Sequence, residues 1–345
     1  MKVKYAIIGA GIGGLAAAAE LKAMGETDFM VFEQSHTVPK NLHNGVHYLH
    51  TDNFGTPFPF DLKEVKSTEE VWNPRKDEFK STANLPEMIG YSLKVMDLRH
   101  PSSIMDPGTR AWKTYLPLDN NMNSLLCAYE EYIGKENFQF KAQVGTVNRA
   151  NRTLFLPEQP AIKSVHYDHL ITTAPLNRFL LCCDSPLLMD LTFQNRPLHI
   201  TNYQTTRIVA NWLISLYVAD DQFPVYRITV LNNTISMESL AALTLEDEYI
   251  VRYHLKRYLD YDMATRQSYC WETGRIWGLT KAERAQVVRT FAEDSIYLLG
   301  RFGLWNGKLL LDNTIKQARY IVKYLTLSNN GFDFDQSGFV EALSE

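Results

Sequence analysis

The chain has 345 residues, enough for about two domains of ordinary size. Hydrophobic residues make up 45% of it and charged residues 21%, which excludes a disordered or collagen-like protein. The formal net charge of −4 excludes a chain-wide electrostatic attraction to nucleic acid or anionic lipid, although a local basic patch is compatible with it.

The sequence contains no membrane-type segment. No stretch has the roughly 18 consecutive apolar residues of a transmembrane helix, and the first residues run into a glycine-rich turn instead of a signal-peptide core. We therefore expect a cytoplasmic protein.

The first 33 residues follow the order strand, turn, helix, strand. An apolar run at 4–8 precedes the turn at 9–14, Gly-Ala-Gly-Ile-Gly-Gly, and an alanine-rich helical segment follows it. A second apolar run at 29–32 ends in Glu33. This arrangement is typical of the βαβ unit that binds a dinucleotide.

The glycines of this turn have separate roles in such a unit. Gly9 permits the tight turn, Gly11 lets a pyrophosphate approach the backbone, and Gly14 lets the helix pack closely on the strand. Glu33, 19 residues after Gly14, is expected to accept hydrogen bonds from the adenosine ribose, which disfavours the 2′-phosphate of NADP. The residues alone leave FAD or NAD, with a ligand-free glycine turn as the alternative.

The rest of the chain is predicted to alternate loops and regular elements. Residues 35–117 are rich in Pro, Asn, Asp and His, which predicts long loops with short elements that build a site. Strands are predicted at 138–144, 152–156, 169–173, 207–218, 225–231 and 295–300, and helices at 123–133, 246–259 and 312–325.

The last predicted strand and helix suit a flavin. The strand leads into Gly300 and Arg301, and the helix begins near Asp312, Asn313 and Thr314. A helix N-terminus beside the flavin N1 and C2 carbonyl stabilises the negative charge that collects there on reduction. The alternative is an ordinary final strand and helix of the sheet.

Four segments resemble those of the UDP-galactopyranose mutases, within the wider group of FAD proteins that includes flavin amine oxidases and protoporphyrinogen oxidases. They are the glycine turn with Glu33; residues 45–52, Gly-Val-His-Tyr-Leu-His-Thr-Asp, similar to the mutase GxHxxHT signature; residues 170–175; and residues 300–312. The resemblance implies non-covalent FAD.

The resemblance also implies the fold class. It is an α/β protein with a Rossmann-like FAD-binding domain of the glutathione-reductase type and an inserted substrate domain of mixed sheet and helices. We expect the FAD-binding domain at 1–60, 115–180 and 290–330, the substrate domain at 61–114 and 181–289, and a C-terminal tail at 331–345.

Candidate site residues follow from the same resemblance. It implies that His47 and His50 lie near the isoalloxazine ring, where an imidazole can transfer a proton or orient chemistry at N5. Residues 224–228 resemble the mutase stretch whose arginine holds the substrate diphosphate, which makes Arg227 the third catalytic candidate and Arg301 a second anion-binding arginine. A solvated histidine and a sheet-surface arginine are the alternatives. The candidate cofactor-binding residues are Gly9, Gly11, Gly13, Gly14, Glu33, Gln34, Thr173, Gly300, Arg301, Asp312, Asn313 and Thr314, and no metal site is expected.

The sequence departs from the mutases after Arg301. Phe302, Gly303, Leu304 and Trp305 stand where the mutases have tyrosines, and the tract that holds their helical insert is short here. We therefore expect an FAD-dependent enzyme of oxidase or lyase type acting on an anionic, amino-acid-like or nucleotide-linked substrate. A mutase-type isomerase of sugar nucleotides and a non-catalytic flavin- or nucleotide-binding protein are the alternatives.

Within this group the chain is similar to small virus-encoded FAD proteins that process amino-acid-modified thymine in phage DNA, which would place it in the host cytoplasm. Residues 249–261 interleave basic and aromatic side chains, a mixture that can follow a phosphate backbone and stack bases. Arg252, Lys256 and Arg257 are therefore candidate DNA contacts. The alternative is an amphipathic helix whose tyrosines pack on the sheet.

Overall fold

The computed structural model describes residues 1–42, 47–55, 58–81, 83–95, 113–220, 222–258, 262–328 and 336–344. Its strands are β1 (Lys2–Ile8), β2 (Phe29–Glu33), β3 (Leu62–Val65), β4 (Ser67–Asn73), β5 (Glu78–Lys80), β6 (Thr114–Pro117), β7 (Phe138–Phe140), β8 (Thr146–Asn148), β9 (Thr153–Phe155), β10 (Ser164–Thr172), β11 (Gln194–Thr205), β12 (Ala210–Val218), β13 (Val225–Asn232), β14 (Thr234–Ser239), β15 (Met263–Trp277) and β16 (Ile296–Leu298). Its helices are α1 (Ile12–Ala23), α2 (Leu85–Val95), α3 (Met122–Ile133), α4 (Leu176–Cys182), α5 (Leu187–Asp190), α6 (Leu245–Tyr258), α7 (Lys281–Glu293), α8 (Gly300–Gly303), α9 (Leu311–Ser328) and α10 (Gln336–Ser344).

The first sheet has the order β7-β2-β1-β10-β9-β8, and β16 also pairs with β10. Strands β7, β2, β1, β10 and β16 run parallel, and β8 and β9 form an antiparallel extension. Parallel strands are normally covered on both faces, and β1 has the fully buried run Tyr5, Ala6 and Ile7. The alanine-rich α1 packs beside α3 and α9, because its small side chains permit close approach.

The second sheet has the order β15-β11-β14-β13-β12-β4-β5. One face packs against α6 through Val251 and Leu255. The other face carries the aromatic cluster of Tyr91, Tyr217 and Tyr226 with α2. A small antiparallel pair, β3 with β6, lies outside both sheets.

Strand β4 of the second sheet is one of the short elements that were predicted within 35–117, and it pairs in parallel with β12. Strand β15 was not predicted, because residues 265–268, Thr-Arg-Gln-Ser, lack apolar alternation. Among the described residues its only strand partner is β11, so β15 is an edge strand. Polar side chains at such an edge are exposed to solvent.

Some core contacts cross the predicted domain boundaries. Within the predicted tail 331–345, α10 is a helix whose Phe339 is fully buried, with its ring 4.2 Å from that of Tyr324. Leu187 of α5 and Val287 of α7 join the core of the first sheet, although they lie in the range predicted for the substrate domain. These apolar side chains pack against the nearest core, which sequence order alone does not reveal.

Across the described residues, no helix is both long enough and apolar enough to span a membrane.

Candidate functional site

The carboxyl ends of four parallel strands meet at one edge of the first sheet. Ile8 of β1 is paired with Phe32 of β2 and with Thr172 of β10, and Thr172 is paired with Leu298 of β16. Ligands of open α/β sheets bind outside this edge. Gly9, Glu33, Gln34, Thr173, Gly300 and Arg301 lie at or just beyond these strand ends, so the fold brings these predicted residues to one place.

The backbone of the turn after β1 requires glycine at positions 9 and 14. Gly9 has a φ of +96°, and a Cβ atom there would overlap the hydroxyl of Thr173. A Cβ atom at Gly14 would overlap the carbonyl oxygen of Gly9, so α1 packs directly on the end of β1. At Gly11 a Cβ atom would meet nothing within 4 Å, which leaves room for a phosphate group to approach the backbone.

Glu33 is buried beside this turn. Its Oε2 accepts a hydrogen bond from the Ala10 amide at 2.8 Å, and its Oε1 accepts one from the Ser35 amide at 2.8 Å. Each carboxylate oxygen has a second lone pair, so both can still accept from a ribose hydroxyl. Gln34 is exposed beside it.

Two threonines hold the neighbouring elements against the turn. The Thr173 hydroxyl donates to the Ile8 carbonyl at 2.9 Å, which ties β10 to β1. Thr314 donates to Leu310 at 3.2 Å, and a Cβ atom at Gly13 would lie 3.0 Å from the methyl group of Thr314. Gly300, with a φ of +78°, also borders Thr314. These residues therefore position the start of α9 near the glycine turn.

The histidine segment is fixed to the start of α9. The His50 amide donates to Asp312 Oδ1 at 3.1 Å, and Leu49 exchanges backbone hydrogen bonds of 3.0 and 2.8 Å with Tyr115. Asn313 Oδ1 accepts from the Leu310 amide at 3.1 Å. His47 and His50 are both half-buried, and residues 45 and 46 of the motif lie outside the described residues.

An ion pair between a partly buried arginine and a buried glutamate lies on the second sheet. Arg227 of β13 and Glu238 of β14 are paired in register, and Arg227 Nε donates to Glu238 Oε1 at 2.8 Å. Arg227 Nη2 donates to the same oxygen, and the Tyr226 hydroxyl donates to Oε2. Burial alone would raise the pKa of Glu238, but Arg227 and Arg275 hold it below its ordinary value. Arg227 therefore already has a carboxylate partner.

Two more arginines complete what we call the arginine cluster: Arg227, Glu238, Arg275 and Arg301. The Arg275 guanidinium lies 4.5 Å from the centre of the Tyr226 ring, and its Nη2 is 3.9 Å from Glu238 Oε2. Arg301 Nε donates to the Leu309 carbonyl at 3.0 Å. Burial, with Arg275 and Arg227 nearby, lowers the pKa of Arg301 to about 10.

Tyr48 connects the histidine segment with the arginine cluster. Its ring makes an edge contact with the ring of His50, with the ring centres 5.1 Å apart. Burial raises the pKa of Tyr48, and the nearby Arg227 opposes that rise. The site thus extends from the cofactor-type edge of the first sheet to the second sheet.

Sequence reasoning missed Glu238, Arg275 and Tyr48 as site residues. Glu238 and Arg275 lie in strands whose spacing matched no motif. Tyr48 lies within the histidine motif, of which only the two histidines were named as candidates. Pairing between strands, and not any local pattern, places Glu238 and Arg275 in the site.

The predicted DNA contacts lie on α6. Arg252 and Lys256 are exposed, Lys256 is 3.6 Å from Asp262, and the side chain of Arg257 is outside the described residues. Tyr249 and Tyr253 are 67% and 55% exposed, and their rings stack at 6.3 Å. These two tyrosines therefore face solvent, contrary to the alternative in which they pack on the sheet.

Comparisons with known proteins agree with this architecture. A family model described as an NAD(P)-binding Rossmann-like domain matches residues 7–56. No curated protein matches the sequence. The fold class predicted from the sequence is confirmed.

Solved structures match over nearly the whole chain. A reduced UDP-galactopyranose mutase has a TM-score of 0.69 and 15% identity, covering 98% of this chain and 99% of that one. A putrescine oxidase variant with redesigned cofactor binding has a TM-score of 0.64 and 13% identity over 95% and 99%. A CLA-producing fatty acid isomerase from P. acnes has 0.62 and 12% over 93% and 98%. At these identities the likeness establishes the shared fold.

Proposed function

We propose that the chain binds FAD non-covalently and is an enzyme of oxidase or lyase type acting on an anionic, amino-acid-like or nucleotide-linked substrate. One observation carries this proposal. Arg301 directly follows Gly300 at the cofactor-type edge, and it lies close enough to Arg275 and Arg227 for their charges to lower its pKa. A dinucleotide edge and a positively charged substrate region therefore adjoin.

The residues of the edge fit FAD. The open backbone at Gly11 suits the pyrophosphate, the free lone pairs of Glu33 suit the ribose, and the N-terminus of α9 suits the pyrimidine end of the flavin. The resemblance of the histidine segment to FAD proteins favours FAD over NAD. When bound, FAD supplies a ring that accepts an electron pair from the substrate.

The chain's own residues then have distinct tasks. The histidine segment is held by Leu49 and by Asp312, so an imidazole of His47 or His50 is kept in position to take or return a proton. The arginine cluster binds the anionic group and orients the substrate.

The first experiment releases the cofactor. Protein purified without added flavin is heated, and the supernatant is analysed for FAD, which we expect at near one equivalent. The yellow protein is then mixed anaerobically with amino acids and amino-acid-bearing nucleotides, and bleaching is followed. Absence of FAD refutes the proposal, and FAD that no such compound bleaches favours the non-catalytic alternative.

The histidines are tested by single-turnover reduction. His47→Ala or His50→Ala should slow bleaching about 10²–10⁴-fold, because a positioned acid or base contributes that much, while FAD content stays unchanged. His166→Ala is the control, since this exposed residue lies at the opposite end of β10. Reduction at the wild-type rate in both variants would remove the histidines from the mechanism.

A mutase reaction is the alternative, and it has a direct assay. Where the mutases have tyrosines this chain has residues such as Trp305, which is buried and donates its indole N–H to the Trp277 carbonyl at 2.8 Å. We expect dithionite-reduced protein not to isomerise UDP-galactopyranose. Conversion at an ordinary enzymatic rate would establish the alternative.

The exposed tyrosine pair of α6 supports a DNA-linked substrate, such as amino-acid-modified thymine, as a second candidate. Stacked Tyr249 and Tyr253 with exposed Arg252 and Lys256 could contact bases and phosphates. Single-stranded DNA should then bind with a strong salt dependence, weakened by Tyr253→Ala but not by Tyr132→Ala on α3. Equal binding by both variants would exclude α6 as the contact.

A further inference from the structure

The arginine cluster carries more positive than negative charge. Both oxygens of Glu238 are engaged, one by Arg227 and the other by the Tyr226 hydroxyl. Arg275 Nε is buried and has no hydrogen-bond partner within the described part of the chain. Arg301 donates to a backbone carbonyl, and among the described residues no carboxylate forms an ion pair with it. The cluster therefore holds three guanidiniums and one carboxylate, and of these described side chains only Arg227 and Arg275 form ion pairs with that carboxylate.

This arrangement is unfavourable without an anion. Buried charges are normally paired, and a buried guanidinium with unused donors loses hydration without replacement. The lowered pKa of Arg301 reports the same crowding, since burial and the like charges of Arg275 and Arg227 disfavour its protonated form. An oxyanion that accepted hydrogen bonds from Arg275 and Arg301 would satisfy both groups.

The Arg275 side chain is positioned to receive such a group. It stacks over the Tyr226 ring, whose hydroxyl is fixed by Glu238, and Tyr226 in turn makes an edge contact with Tyr91 at 6.5 Å. A ring face holds a guanidinium in place and leaves its edge donors available for a bidentate contact.

We propose that Arg275 and Arg301 form the site that binds the substrate's oxyanion, a carboxylate or phosphate group, and that Arg227, neutralised by Glu238, is a positioning residue. This inference deepens the proposed function and rests on it. It transfers the anion contact from Arg227, the residue that the sequence singled out, to Arg275, a residue of an edge strand. Arg227 acts by holding Glu238, which fixes Tyr226 under Arg275.

The test uses simple oxyanions and the protein as purified with its cofactor. Inorganic phosphate, inorganic pyrophosphate and acetate are titrated at constant ionic strength, and melting temperature and tryptophan fluorescence are recorded. Wild type should show a saturable response. A response to phosphate or pyrophosphate alone assigns a phosphate group, and a response to acetate assigns a carboxylate.

The variants locate the response. Arg275→Gln and Arg301→Gln should each raise the apparent dissociation constant at least tenfold. Arg275→Lys should raise it by less, because lysine keeps the positive charge but lacks the paired donors of a guanidinium. Arg266→Gln is the matched control, since Arg266 lies on the same strand and is paired with Glu248 of α6, which is not part of the arginine cluster. Glu238→Gln should bind the anion at least as tightly as wild type, because it removes the competing negative charge.

The outcomes separate this inference from the proposed function. A wild type without a saturable response, or a response that persists in Arg275→Gln, overturns the anion site even if FAD is present. If Arg275→Gln does not fold, Arg275→Lys decides, and an unchanged dissociation constant there overturns the proposal. An unchanged dissociation constant in Arg227→Gln would overturn the positioning role of Arg227, because loss of the partner that holds Glu238 should weaken anion binding. FAD content of the same samples tests the proposed function independently.

Discussion

At the scale of single residues, Glu33 has two roles at the cofactor-type edge of the first sheet. The carboxylate holds the Ala10 and Ser35 amides, and in the proposed complex it also accepts from the ribose. Glu33→Gln should weaken FAD binding about ten- to a hundred-fold, because a hydrogen bond to a charged group contributes about 1.5–3 kcal/mol. Fluorescence titration of the apoprotein measures this. Glu26→Gln, which affects a partly exposed pair with Lys4, should retain wild-type affinity.

Arg227 should behave as a structural charge. Arg227→Gln leaves Glu238 buried with Tyr226 and the more distant Arg275, so unfolding free energy should fall. Breaking a buried ion pair typically lowers the free energy of unfolding by about 3–5 kcal/mol. We expect a decrease of about 3 kcal/mol or less here, because Arg275 partly compensates the charge of Glu238. Chemical denaturation measures this. In the double variant Arg227→Gln/Glu238→Gln most of the loss should be recovered, and a fully additive result would contradict the pairing.

At the scale of elements, α7 begins with a reciprocal cap. Thr280 accepts from the Glu283 amide at 3.2 Å, and Glu283 Oε2 accepts from the Thr280 amide at 2.7 Å. Thr280→Ala should lower the free energy of unfolding by about 1 kcal/mol, whereas Thr280→Ser should be nearly neutral because it keeps the hydroxyl. Equal stability of wild type and Thr280→Ala in denaturant would contradict this cap.

The same cap has a pH dependence with a defined sign. The hydrogen bonds from the Thr280 amide and hydroxyl hold the pKa of Glu283 below its ordinary value. A carboxyl whose pKa is lower in the folded chain stabilises it above the unfolded pKa and loses that effect as pH falls through the folded pKa. The difference between wild type and Thr280→Ala should therefore shrink in acid, as denaturation at two pH values can test.

The secondary-structure elements differ in how well the sequence predicts them. The βαβ opening was predictable because Gly9, Gly14 and Glu33 have separate backbone requirements at fixed spacing. Helix α6 was predicted within a residue or two at either end. Arg227 and Arg301 were candidates from the sequence, but strand β15 and the contact of Arg275 with Glu238 were not predictable, since these two residues become neighbours only through pairing between distant strands. Pairing between strands that are distant in the sequence produces no local periodicity of apolar residues from which it could be predicted.

At the scale of the molecule, the last described helix completes the first core. Phe339 of α10 lies against Tyr324 and Tyr320, and the helix packs beside α7. Phe339→Ala should destabilise the whole fold by about 3–5 kcal/mol, the usual loss for a large buried ring. Glu341→Ala, an exposed substitution on the same helix, is the control for thermal denaturation. Equal melting temperatures would show that α10 is dispensable.

The hydrogen bond from His50 to Asp312 joins residues 262 positions apart in sequence. During synthesis at about 5–20 residues per second, roughly 15–60 s separate the emergence of Gly9 from that of Asp312. Throughout that interval the glycine turn lacks the strand ends of β16 and the start of α9. We therefore expect the proposed FAD to be bound only after the start of α9 has been synthesised, and nascent chains that end before Gly300 should not retain flavin.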